Sequence, residues 1–234
     1  IVTNELELSR MKSDFVSTVS HEFKSPLTSI RQLAEMLKNG RVQTEERRDR
    51  YYSVLLEQSE RLSLLIDNIL DFAKMEEGKR QFNFEPIDLA PWLEELVSTF
   101  QQRVHHEGMV FQTHIDPALP RLCMDPVAMS QALSNLLDNA VKYAGPRKEV
   151  RVRVEKEGQQ VTISVQDFGA GITADEIDRV FERFYRGGDE LTRAIKGSGL
   201  GLTLVKQIVE AHHGRVQLES ESGQGSTFSI RLPV

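Results

Sequence analysis

The stretch FVSTVSHEFKSPLTSIRQLAEMLKNG, residues 15–40, decides the architecture of the first third of the chain. Phe15, Val19, Phe23, Leu27, Ile30, Leu33 and Leu37 recur in steps of three or four, the period of an amphipathic helix. Leu8 and Met11 extend the series, so a helix is expected over residues 6–38. A second series, Tyr52, Leu55, Ser59, Leu62, Ile66, Ile69 and Ala73, alternates steps of three and four within residues 44–77. It reads as a heptad seam with one polar interruption. Thr44 followed by Glu45, Glu46 and Arg47 makes a helix start, and Gly40 and Gly78 sit where the two helices should stop. A lone hairpin cannot bury this much apolar surface, whereas two can, as a four-helix bundle. The pattern therefore predicts a homodimer, with residues 1–78 as one domain.

From about residue 80 the texture changes. Strand-like runs occur at 110–115, 149–156, 160–167, 215–220 and 227–232, several alternating polar with apolar residues. Helical segments are expected at 91–104, 126–143, 173–181 and 200–213, with hairpin connections at Gly158 and Gly223–Gly225. This predicts a second domain, 79–234, an α/β sandwich whose mixed, largely antiparallel sheet has helices on one face. The overall class is α+β.

Bulk composition narrows the function. The net charge of −6 argues against a nucleic-acid partner, which calls for a basic face. The single cysteine, Cys123, excludes an internal disulfide, fits a reducing compartment and reads as a small buried apolar residue. No apolar run approaches the roughly 18 residues that cross a bilayer. The chain starts at Ile1 with helical pattern already running, so a fragment is expected whose missing N-terminal part could include membrane spans.

Within the opening stretch, His21 lies on the wrong side of its helix. At about 100° per residue it falls roughly 160–200° from Val19 and Phe23, on a solvent-facing stripe with Ser17, Lys24 and Thr28. The bland reading is a surface histidine. Two neighbours point further. Glu22 can bond an imidazole nitrogen, fix its tautomer and take its proton. Pro26 costs a helix interior on the order of 3 kcal/mol, so a local bend beside a reactive residue is one reason for it. An imidazole, with an ordinary pKa near about 6.5, offers a neutral lone pair for attack on a phosphoryl group.

Four further motifs carry nucleotide chemistry. In NLLDNAVKY, residues 135–143, Asn135, Asn139, Lys142 and Tyr143 span about 100° of helix surface. Leu133, Leu136, Leu137, Ala140 and Val141 occupy the other side. The polar face offers amide oxygens for Mg²⁺, a cation for phosphate and a ring for a base, although a solvated helix face would look the same. In DFGAGI, residues 167–172, Asp167 can accept a bond from an exocyclic amine, and Gly169 and Gly171 let the backbone pass close to a ligand. No VAIK strand or HRD loop accompanies this DFG triplet, which excludes a protein-kinase reading. In GSGLGL, residues 197–202, glycine amides open a helix and make an anion site. Neither the dinucleotide fingerprint nor a P-loop fits. Between them, FERFYRGG, residues 181–188, offers Phe181 and Phe184 as anchors of a lid, Gly187 and Gly188 as its mobile part, and Arg186 as a phosphate contact.

Together these residues resemble the histidine kinase family. SHEFKSPLTSI resembles its H box, NLLDNAVKY its N box, DFGAGI and GSGLGL its glycine boxes, FERFYRG its F box and GQGSTFSIRLP its closing strand pair. The resemblance runs from about residue 8 to the end. It implies a dimerisation and phosphotransfer domain followed by a Bergerat-type ATP-binding domain. His21 would then be the phosphoacceptor, with Glu22 as its acid/base partner and Asn139 as the Mg²⁺ ligand with Asn135 close by. Lys142 and Arg186 would contact phosphate, Tyr143 would neighbour the adenine, and Asp167 would read its amino group. Gly197, Gly199 and Gly201 would shape the phosphate end of the lid, and Ile172, Phe184, Tyr185, Ser198, Leu200, Leu202 and Thr227 would complete the ATP site. A response regulator's aspartate would receive the phosphoryl group. Ser25 stands where many relatives carry threonine or asparagine to position a water for phosphatase activity. Two other classes compete: an ATPase of the gyrase and MutL type, which has no use for an exposed histidine, and a nucleotide-binding scaffold, which would not need Asn139, Asp167 and the lid glycines intact.

Overall fold

A computed structural model of the protein describes residues 2–42, 44–105, 108–185, 187 and 199–234. They form two compact units: a helical hairpin that runs to Gly78, with which Gly199 and Leu200 are grouped, and a mixed unit of the remaining residues from Lys79 onward.

The hairpin consists of α1, Val2–Lys38, and α2, Glu45–Glu76. Gly40 ends α1 in the left-handed conformation, φ 63°, and the Met36 and Leu37 carbonyls accept from Arg41 and Gly40. Thr44 caps α2, its Oγ1 accepting from the Arg47 amide at 3.4 Å. Gly78, φ 64°, closes the far end. The heptad series of α2 divides into two rows. Leu55, Leu62, Ile69 and the buried Asn68 and Phe72 face inward. Tyr52, Leu56, Ile66 and Leu70 face out, 41–65% exposed, with Ser59, Ser63 and Ala73 in the same row. The alternating series seen in the sequence took members from both rows, because a step of three turns the helix by about 300° and a step of four by about 400°.

In the second unit, β1 (Glu85–Asp88) pairs antiparallel with β3 (Arg121–Met124) as a short ribbon. The main sheet has the order β2-β4-β5-β7-β6, from β2 (Val110–Ile115), β4 (Glu149–Glu157), β5 (Gln160–Asp167), β6 (Arg215–Glu221) and β7 (Gly225–Pro233). Among the described strands only β2 and β4 run parallel, because the chain between them crosses over through α4, Pro126–Tyr143. With α3 (Leu89–His105) and α5 (Gly201–Ala211), α4 covers one face of the sheet. Val150, Val152, Val154, Val161, Ile163, Val165, Phe228, Ile230 and Leu232 point into that core, and the alternate positions are polar and less buried.

Two expectations are corrected, and two short elements are new. Residues 173–181 are not a helix but consecutive turns, closed mainly by i→i+3 bonds such as Glu176 to Thr173 and Arg179 to Glu176. The β1–β3 ribbon and a 3₁₀ turn at Gly145–Arg147 carry no strong pattern and were not foreseen. Cys123 is exposed, because on β3 it alternates with the buried Leu122 and Met124.

The start of α4 is a junction. Asp125 Oδ1 accepts from the Ala128 amide at 2.9 Å, and Oδ2 accepts from the Asn83 amide at 2.9 Å. The Asp125 amide donates to His212 Nε2 at 2.9 Å, and His212 Nδ1 lies 2.7 Å from the Ile208 carbonyl. Those partners fix the tautomer, Nδ1 carrying the hydrogen. Phe82 and Phe84 pack on the imidazole with centroids 5.6 and 4.8 Å away, and Arg80 donates to Gln131 at 2.9 Å. Residues 80–84 are thereby fastened to α4 and to the turn after α5. Burial opposes ionisation of Asp125, but the backbone N–H groups of Ala128, Asn83 and Val127, with His212, hold its carboxyl below the usual range.

Burial pushes the His212 imidazole below its ordinary value, against the Ile208 carbonyl and the Asp125 charge, which raise it. The unfolded chain therefore takes up a proton below about pH 6.5 that the folded unit refuses until lower pH. Stability due to this group is present above that value and falls as the pH drops. We predict that melting temperature declines between pH 7 and 5, and that His212→Gln, less stable at pH 7, shows a shallower decline. Equal slopes in calorimetry would refute this.

Candidate nucleotide and phosphoacceptor sites

On the hairpin, His21 is exposed, and among the described residues its ring has no hydrogen-bond partner. Pro26, four residues after Glu22, is buried and supplies no amide for the Glu22 carbonyl. Glu22 does not bond to His21. Its Oε2 accepts from Arg61 Nη2 of α2 at 3.3 Å. Ser25 is half-buried near the same turn.

In the second unit α4 presents two faces. Met129, Leu133, Leu136, Leu137 and Ala140 are buried, with Val141 half-buried beside them. Asn135, Asn139, Lys142 and Tyr143 share the polar side and are partly exposed. Asn135 Nδ2 donates to the Gln131 carbonyl at 3.0 Å, which aims Oδ1 towards α5: a Cβ on Gly201 would lie 3.1 Å from it. Gly201 is thus what lets α5 begin beside this stripe. The amide of Asn139 has no partner among the described residues. The Lys142 ammonium lies 4.8 Å from the centre of the Tyr143 ring.

Asp167, 4% exposed, ends β5 on the core face. Burial pushes its carboxyl above the usual range, although the amides of Gly169 and Ser226 pull the other way. Gly169 donates to Oδ1 at 3.0 Å. The loop after it is wedged between backbones. A Cβ on Gly169 would overlap the Tyr143 carbonyl, and one on Gly171 the Glu221 carbonyl. Close packing inside the protein therefore requires both glycines. The Ile172 amide donates to Ser220 Oγ at 2.8 Å.

Phe181 fastens the segment 181–185 to its own unit. Phe181 meets Phe228 edge-on, centroids 6.2 Å apart, and the Phe181 and Glu182 carbonyls accept from Thr203 Oγ1 of α5 at 3.3 and 3.2 Å. Phe184 is half-buried in the left-handed conformation, φ 65°. The Tyr185 hydroxyl is engaged by Glu176 at 3.2 Å; burial and then the Glu176 charge raise its pKa. Arg186, Gly188, Gly197 and Ser198 lie outside the described residues. Gly199 is described, φ 71°, and Leu202 is half-buried on α5.

Leu200 is fully buried. Thr227 pairs with Gln166 on the outer face of the sheet, whereas Asp167 points to the helix side. The residue on the Asp167 side is Ser226, 5% exposed, whose hydroxyl lies 3.0 Å from Ser220 Oγ. Strand alternation carries that signal, counted back from the buried Phe228.

These residues fit a magnesium nucleotide. A deeply set carboxylate suits an exocyclic amine, and an unengaged half-buried amide suits a hard cation. No group of three or more His, Cys, Asp or Glu suited to a metal occurs among the described residues. A divalent ion here would therefore be held by amide oxygen, phosphate and water.

The comparisons agree in kind. Residues 11–78 match the His Kinase A (phospho-acceptor) domain, and residues 124–234 match the histidine kinase-, DNA gyrase B- and HSP90-like ATPase. This pairing is that of two-component sensor kinases. The chain is 34% identical over 238 residues to sensor protein kinase WalK of Staphylococcus aureus, covering 99% of this chain and 56% of the relative. It aligns with a mycobacterial sensor histidine kinase, MprB, at 30% identity and TM-score 0.53, over 64% of this chain and 97% of the other. The fold also matches the histidine kinase AdeS of Acinetobacter baumannii, TM-score 0.65 at 23% identity over 91% of this chain and 97% of the other. The chain belongs to the sensor histidine kinase family, with an ATP-binding domain of the kinase, gyrase and HSP90 kind. It spans little more than half the length of the WalK sequence it matches, and no helix among its described residues is long and apolar enough to cross a membrane.

Because burial raises the Asp167 carboxyl, the folded state holds a proton that the unfolded chain has released between about pH 3.9 and the folded value. The stability due to that proton is present below this window and lost as pH rises through it, so the ionised group is a cost at pH 7. We predict that Asp167→Asn melts no lower than wild type at pH 7 yet binds ATP at least about tenfold more weakly, roughly one charge-assisted hydrogen bond. Titration calorimetry beside a thermal melt checks both, and a melt well below wild type would contradict the stability half.

Proposed function

We propose that this chain is the catalytic core of an autokinase that phosphorylates His21 and hands the phosphoryl group to an aspartate of a response regulator. The observation that carries this reading is the exposed His21 ring on a helical hairpin that shares its chain with an ATP-binding domain. A gyrase-like or MutL-like ATPase has no use for that imidazole. A scaffold has no use for a buried Asp167 and an Asn139 whose amide is unengaged among the described residues.

The residues divide the work. Asp167 accepts from the exocyclic amine of the base, and Tyr143 lies alongside the ring. Asn139 offers its amide oxygen to Mg²⁺, with Asn135 next to it, and Lys142 faces the phosphates. Bound Mg²⁺–ATP supplies the electrophilic γ-phosphoryl group and much of the charge neutralisation. The His21 nitrogen lone pair attacks in line, and Glu22 takes the proton from the imidazole. The protein's contribution is chiefly positioning and electrostatics. Arg186, Gly197 and Ser198 complete the lid in this reading, and Ser25 holds a water when the regulator is dephosphorylated.

The outward row of α2, Tyr52, Leu56, Ile66 and Leu70, supports a homodimer with this row at its centre, since a bundle of four helices buries it. The regulator docks on the hairpin around His21. A sensor region elsewhere in a longer protein, with this core on the cytoplasmic side of the cell membrane, completes the proposal.

Incubation with γ-labelled ATP and Mg²⁺ should give acid-labile, alkali-stable label on wild type and none on His21→Ala or Asn139→Ala. Label persisting on His21→Ala would overturn the assignment. Separately, Leu56→Glu with Leu70→Glu should shift the chain from dimer to monomer in sedimentation; an unchanged dimer would place the interface elsewhere.

A further inference from the structure

Glu22 is placed oddly for the base of its neighbour. Successive helical residues diverge by about 100°, and side chains at i and i+1 do not face each other. The Glu22 side chain is turned into the hairpin, 11% exposed, and Oε2 accepts from Arg61 Nη2 at 3.3 Å. Arg61 reaches over from the middle of α2, and its own side chain is 48% exposed. The contact is a single hydrogen bond and not a two-pronged fork, and half of it is wet. A pair of that kind is weak enough to open. The backbone agrees: Pro26 removes the amide that would tie the Glu22 carbonyl, so α1 is loosened at the residue whose side chain must move.

We propose that Arg61 is a positioning residue that restrains Glu22 against α2, and that Glu22 must leave Arg61 before it can serve His21. The inference rests on His21 as phosphoacceptor and Glu22 as its base. In the step it governs, the imidazole lone pair forms a P–N bond to the γ-phosphorus and the bridging P–O bond breaks. ADP departs with that electron pair, and the proton on the second ring nitrogen passes to the Glu22 carboxylate. While Arg61 holds the carboxylate, that proton has nowhere near to go.

The test is the autophosphorylation rate of the dimeric chain with γ-labelled ATP and Mg²⁺ and no regulator present. Arg61→Ala should raise the rate at saturating ATP about two- to fivefold, the range of a half-exposed pair, with the KM for ATP unchanged. Arg61→Lys should stay near wild type. In a Glu22→Gln background Arg61→Ala should bring no gain. A slower or unchanged Arg61→Ala, or a gain that survives without the Glu22 carboxylate, overturns the proposal. Arg61→Met, of similar length and uncharged, takes the place of the alanine variant should circular dichroism show the latter unfolded, with the same expected gain. His21→Ala in parallel separates the two levels, because label on that variant sinks the phosphoacceptor reading and not merely the restraint.

Discussion

One carboxylate organises the second unit. Asp125 caps α4, takes the amide of Asn83 from the incoming chain, and through its own backbone amide is tied to His212 beyond α5. The polar stripe on α4 has a defined height and rotation only because that end of the helix is held. Its other face has no freedom either, since Leu133, Leu136 and Leu137 are fully buried. Everything later on the helix, from Asn135 to Tyr143, is positioned by those two constraints. A buried neutral imidazole is an economical partner at such a junction: it accepts at one nitrogen and donates at the other, and brings no charge to be solvated.

The fold was legible where a long period repeats. α4 was expected at 126–143 and lies at Pro126–Tyr143, and the strands at Val110–Ile115 and Gln160–Asp167 were read to the residue. The reading failed where short segments answer to tertiary neighbours. Residues 173–181 have helical residue types, yet Phe181 anchored on Phe228 and bonds to Thr203 hold them as turns. The β1–β3 ribbon is four residues long on each side, too short for alternation to stand out. Among proposed site residues, identity was easier to read than direction. Thr227 and Ser226 differ by one position and therefore by the face of the sheet. The partner of Glu22 lies 39 residues away on another helix, beyond what any local spacing reveals.

Asp167 shows how binding and stability pull apart at one atom. Its carboxylate is buried before any base arrives, with three backbone amides, those of Gly169, Ser226 and Asp167 itself, to offset lost water. The free protein holds it at a disadvantage, and a ligand amine would relieve that disadvantage. In the proposed function, binding draws on this unfavourable solvation of the free protein.

Gly169 and Gly171 carry a different lesson. Their missing side chains are filled by the protein's own carbonyls, from Tyr143 on one flank and Glu221 on the other. Chemical genetics often carves extra room in a purine site so that it accepts an enlarged ATP analogue, or blocks the site with a methyl group to exclude an inhibitor. Neither manoeuvre can start from these two glycines. There is no void at either to enlarge, and a methyl group added at either would wedge the loop away from its supports before any ligand met it.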